Sequence, residues 1–137
     1  MVNVMDGVIA YLKQNLVVDA EVDGAVFGYK IPDGVVKAMP MPCVLVTAAG
    51  GSERADYISY STPRFDLICY GTTNDQAARV AISVWEALHS LMREVHGGVL
   101  LHSAIMSSGG TPWLEPGAGW PGKVITCVVQ ASTDTVA

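Results

Sequence analysis

Two adjoining stretches decide the fold: Arg64-Phe65-Asp66-Leu67-Ile68-Cys69-Tyr70-Gly71-Thr72, and the run from Asn74 to Leu91, NDQAARVAISVWEALHSL. In the first, Phe65, Leu67 and Cys69 share one side of an extended chain, while Arg64, Asp66, Ile68 and Tyr70 share the other, which is the period of a strand. In the second, Ala77, Ala81, Val84, Leu88, Leu91 and Val95 follow i, i+3/i+4 spacing, so one face of a helix is apolar for about five turns. Asn74 is the expected N-cap, with Asp75 in the first turn. Gly97-Gly98 is the expected stop, with Arg93 and His96 near the negative end of the helix dipole. A strand feeding a long helix is the nucleus of a layered domain.

Upstream, Val4, Val8, Leu12 and Leu16 recur every four residues and predict a helix over about Val2–Leu16, with Asn3 able to cap a shorter version. Val17–Val26, carrying Asp19, Glu21 and Asp23, reads as a connection. Ala25–Ile31 reads as a short strand closed by the turn residues Pro32-Asp33-Gly34. Met39-Pro40-Met41-Pro42 is extended, because a residue before proline is pushed out of the α region. It leads into Cys43–Ala49, a continuous apolar run typical of a buried strand. A polar loop at 49–56 joins this strand to Tyr57–Ser61, and Pro63 separates the latter from Arg64–Tyr70.

Downstream, Val99–Ser107 predicts a strand. Residues 111–123 predict a Pro/Gly/Trp loop, and Val124–Ala131 a final β-branched strand. The expected order is α-β-β-β-β-α-β-β: an α+β domain of two layers, two helices packed on a mostly antiparallel sheet. The chain has 137 residues, which suits a single domain spanning 1–137 with projecting loops at about 49–56 and 111–123.

Composition narrows the function. Charged residues are 15% of the chain, below the usual quarter or so, and mean hydropathy is +0.35. Either a partner covers part of the surface, or the surface is rich in Ser, Thr and Gly. Eight Lys+Arg oppose thirteen Asp+Glu, for a net charge of −5. No two basic residues are adjacent, which argues against a phosphate-tracking stripe. The longest apolar runs fall far short of a membrane span. No basic n-region precedes the first apolar stretch, and Asp6 interrupts it, so it does not read as a signal peptide. Cys43, Cys69 and Cys127 are odd in number and widely spaced, which argues against a disulfide framework and for synthesis in a reducing cytoplasm.

Catalytic and ligand motifs match only by letter. Gly117-x-Gly119-x-x-Gly122-Lys123 satisfies the dinucleotide pattern and most of the P-loop pattern. Both motifs need a strand before the glycines and a helix after them. Here Thr111–Pro116 precedes them and does not read as a strand, a β-branched strand follows, Pro121 removes an amide, and Val124 stands where magnesium binding needs Ser or Thr. His89, His96 and His102 have no carboxylate or thiolate at metal spacing. A Cys69/His102/Asp66 triad is weakened because Asp66 and Cys69 face opposite sides of their strand. No catalytic, cofactor or metal residue is assigned. Trp113 and Trp120 are more informative: either their loop folds back over the sheet edge, or the indoles dock on another chain. Trp85 is expected to pack between helix and sheet.

The Arg64–Thr72 strand running into the Asn74–Leu91 helix resembles the tail terminator (tail completion) proteins of long-tailed bacteriophages. The N-terminal helix, the Pro-x-Val-x-Val strand at Pro42–Val46, and Gly119-Trp120-Pro121 before the Val124–Gln130 strand are similar too. The resemblance covers about residues 2–131. It implies a structural protein of the virion neck, made in the host cytoplasm, with no catalysis and no cofactor. In this family six copies form a ring at the head-proximal end of the tail tube. That ring ends tube polymerisation and joins the head connector or stopper protein, and genome DNA passes through its lumen without specific binding. An acidic chain is compatible with such a lumen. Glu53, Arg54, Asp56, Trp113 and Trp120 are the candidate interface residues, chosen for loop shape and side-chain chemistry. Two other readings remain open here: another neck, connector or minor tail protein, or a small cytoplasmic enzyme or ligand-binding domain.

Overall fold

The computed structural model describes residues 3–52, 60–106, 110–114 and 118–132. The elements in chain order are α1 (Val4–Gln14), α2 (Leu16–Val22), β1 (Val26–Gly28), α3 (Asp33–Val36), β2 (Cys43–Ser52), β3 (Tyr60–Tyr70), α4 (Asn74–His89), β4 (Glu94–His96), β5 (Val99–Met106), β6 (Thr111–Leu114) and β7 (Pro121–Ser132). The expected α+β class holds, but the order is richer than the sequence suggested.

The seven strands form one sheet in the order β1-β2-β3-β7-β5-β4, with β6 paired to β7. Every pairing is antiparallel except β1 with β2. β7 is the central strand. β3 lies along one of its edges, and β5 and β6 lie end to end along the other. Alternate residues of β7, Ile125, Cys127, Val129 and Ala131, are fully buried. They face the core with Phe65, Leu67 and Cys69 of β3, as the alternation predicted. Helices α1, α2 and α4 are built around the same cluster, contributing Val8, Leu12, Val18, Val80, Val84 and Leu88 among others. The sheet face carrying Arg64, Asp66, Ile68, Thr126 and Val128 has none of these three helices on it, since it is the face opposite that core.

Several local readings need correction. The first helix ends at Gln14, not Leu16. Asn15 leaves helical geometry, and its Oδ1 accepts from the amides of Val17 and Val18, at 3.0 and 3.2 Å. One asparagine therefore stops α1 and caps α2, a helix where a connection was expected. Asn3 caps α1, accepting from the Met5 amide. Thr73, not Asn74, caps α4: its Oγ1 accepts from the Gln76 amide, while Gln76 Oε1 accepts from the Thr72 amide at 2.7 Å. This exchange is close to a capping box.

The long helix also stops early. α4 ends at His89, and Glu94–His96 is a strand paired with β5. Gly97 and Gly98 have φ of 57° and 75°, the left-handed pair that a two-residue hairpin turn requires. They close the β4–β5 hairpin rather than the helix, and Val95, expected on the buried stripe, is 48% exposed.

The loop expected at 49–56 begins later, because β2 runs to Ser52, and residues 53–59 lie outside the described residues; Tyr60–Ser61 of the first predicted strand and Arg64–Tyr70 belong to one strand, β3. Proline has no amide to donate, and the ladder to β7 lapses at Thr62 and Pro63 before resuming at Arg64. Within the expected 111–123 loop, Thr111–Leu114 is a strand on β7. Its Pro112 is tolerable because β6 sits at an edge.

Gly71 sets the angle at which β3 enters α4. A Cβ there would lie 2.8 Å from the Gln76 carbonyl carbon and collide with the Ala77 backbone nitrogen, groups fixed within the first helical turn. Gly71→Ala should therefore destabilise the fold by about 1–3 kcal/mol, read as a lowered midpoint in urea unfolding with an unchanged m-value.

Candidate interaction surfaces

Two groups of titratable side chains are the candidates for chemistry, and the geometry of each argues against it. The first is the buried thiols. Cys43 and Cys127 are pushed up to about 12 by burial, and Cys69 is raised further by burial and by its neighbour Cys43. A thiolate is the nucleophilic form, so these cysteines serve as small core hydrophobes. Cys69, His102 and Asp66 do not converge. Asp66 lies on the helix-free face, accepting from Thr126 Oγ1 at 2.7 Å. His102 falls at the register shift between Leu101 and Ser103.

The second group lines an open groove of about 520 Å³ between the α1–α2 junction and β4, formed by Tyr11, Gln14, Asn15, Leu16, Val17, Glu94 and His96. Tyr11 donates to the Ala87 carbonyl, tying α1 to α4. Burial raises its phenol pKa, and the nearby Glu94 carboxylate adds to this, while a hydrogen bond with Asn15 opposes it. The His96 ring meets Tyr11 edge-on at 5.0 Å, and its Nε2 lies 3.3 Å from Glu94 Oε1. The phenol stays protonated and committed to a backbone carbonyl, so it is a brace, not an acid–base group. Among the described residues, no three of His, Cys, Asp and Glu gather as a metal site. Also among them, no helix is long and apolar enough to cross a membrane.

What remains are surfaces. Glu53, Arg54 and Asp56 lie outside the described residues. Trp113 stands in β6 opposite Gly122, which places it on the β6–β7 hairpin with Trp120. Trp120 is half-buried and meets Tyr70 edge-on at 5.9 Å. It covers the end of β3 and leaves the other half of the indole exposed. The structure also exposes several apolar side chains, among them Leu16, which the spacing placed on the apolar face of the first helix. Leu16 is 84% exposed, Met92 79% and Ile82 58%.

Among the described residues the thiols are buried, the Tyr11 phenol is held by a backbone carbonyl, and one sheet face is free of the long helices. The family model described as "Bacteriophage tail terminator protein" matches residues 11–107, and the chain belongs to that family. It is a structural phage virion protein, not an enzyme. Among solved structures, a chain of the "Virion of native gene transfer agent (GTA) particle" is similar, with a TM-score of 0.70 at 15% identity, covering 92% of each chain. That likeness is one of fold. No curated protein matches the sequence.

Two outcomes are expected from this geometry. Tyr11→Phe leaves the Ala87 carbonyl without its donor and should cost about 1–3 kcal/mol of unfolding free energy. An aromatic thiol reagent at pH 8 should find all three cysteines unreactive in the folded protein and reactive in denaturant, since burial withholds both access and the thiolate.

Proposed function

We propose that this protein forms a six-fold ring at the head-proximal end of the phage tail tube. There it ends tube polymerisation and presents the surface to which the head's connector or stopper protein binds. Membership of the tail terminator family carries the reading, and a similar fold within a gene transfer agent virion supports it. A ring built head to tail needs two different patches on each subunit. The helix-free sheet face and the β6–β7 hairpin are two such non-equivalent surfaces. With a net charge of −5 and dispersed cations, the lumen lets DNA pass without holding it.

The proposed contact residues are Glu53, Arg54 and Asp56, which fall between β2 and β3 in the sequence, with Trp113 and Trp120 on the β6–β7 hairpin. Trp120 also packs on Tyr70, so its substitution would disturb the fold as well as a contact. The purified protein, added to polymerising tail-tube subunits, should bind one tube end and halt growth there. Arg54→Ala and Trp113→Ala should weaken that capping while leaving the circular dichroism spectrum unchanged. Tubes that grow undisturbed in excess protein, or protein that binds only isolated head connectors, would move the assignment to another neck component.

A further inference from the structure

The surface of α4 turned away from the core carries a second apolar row. Ala78, Ile82, Trp85 and His89 stand at i, i+4, i+7 and i+11, which at about 100° per residue keeps all four on one stripe. Ile82 is 58% exposed. Trp85 is half-buried at the border between this stripe and the core, and it stacks flat on His89 with centroids 4.8 Å apart and planes 14° from parallel. This is the spacing of a seam that receives another helix.

Charge indicates which helix. Arg79 and Glu86 are exposed and flank the seam on its solvent side, one heptad apart, while the other flank, Ala81 and Leu88, is buried in the core. Among the described residues the ion pair formed within the chain is Glu94–His96, so neither Arg79 nor Glu86 is paired with a described residue. In an antiparallel helix pair, flanking residues of the same heptad position face one another. If Ile82 of one copy is layered on Trp85 of another, and Ala78 on His89, the register sets Arg79 against Glu86 and Glu86 against Arg79. The helix is complementary to itself under a two-fold axis.

We infer that α4 is a self-docking surface, through which two copies of this chain pair antiparallel along the Ala78–His89 seam with two symmetric Arg79–Glu86 contacts. The inference goes beyond the ring. A two-fold contact combined with a six-fold ring joins two rings face to face, and without the ring it gives a dimer.

The test is sedimentation equilibrium of the full chain and four variants, each checked for folding by circular dichroism. Arg79→Glu and Glu86→Arg each place like charges at both contacts and should raise the dissociation constant of the pairing about tenfold or more. The double variant R79E/E86R restores opposite charges and should return to within about threefold of the wild type. Ile82→Asp should abolish pairing. Pairing that ignores the charge swaps, single swaps that the double variant fails to rescue, or a wild-type protein with no two-fold species at its highest soluble concentration would each overturn the inference. The smallest species left in Ile82→Asp separates this result from the ring proposal: a hexamer there retains the ring without the pairing, and a monomer removes the ring in solution.

Discussion

The structure depends on the burial of one side of β7. Its alternate residues Ile125, Cys127, Val129 and Ala131 are sealed from water, and each of its edges is occupied, by β3 on one side and by β5 and β6 on the other. A strand paired along both edges satisfies its backbone polar groups, and a period of two then fixes which residues face the helices. A slip of one residue would turn Thr126, Val128 and Gln130 into the core and expose the four that are buried there. The register of β7 therefore dictates where α4 can sit and which sheet face lies opposite the long helices.

Confining the long helices to one face divides the molecule by role. The packed face holds what might have been reactive: three thiols whose burial keeps them protonated, and a phenol committed to a carbonyl of the neighbouring helix. The outward surfaces hold the side chains whose burial is incomplete, including Ile82, Leu16, Met92 and the free half of Trp120. A chain with only 15% charged residues and apolar side chains in these places is suited to assembly, which agrees with its membership of a virion protein family. Of the two readings of its low charge, these side chains favour the one in which partners cover part of the surface.

The parts legible in the sequence were those where one period ran without competition: the Arg64–Tyr70 part of β3, most of β7, and the core stripe of α4 up to Leu88. Errors arose where one signal served two structures. Gly97-Gly98 suits a helix stop and a hairpin turn equally, and only the alternating residues on either side mark the hairpin. Asn15 caps α2, but the β-branched and acidic run after it is a poor helix by propensity, and its burial at Val18 and Val22 supplies what propensity lacks. Thr111-Pro112-Trp113-Leu114 resembled a loop because proline excludes only the interior of a sheet, not its edge. At the surface, Trp120 packs against Tyr70, a contact compatible with either reading of that tryptophan. Ile82 was passed over because the core stripe of α4 explained the helix without it, although the second row at 78, 82, 85 and 89 was already present.

The central claim is that this fold serves as a structural piece at the junction of phage head and tail. Immunogold electron microscopy of intact virions, with antibody raised against the purified protein and tail-only particles as a second specimen, tests it most directly. The account predicts label confined to the head–tail junction, and to the head-proximal end of isolated tails. Label distributed along the tube, at the distal tip, or absent from the particle would contradict it.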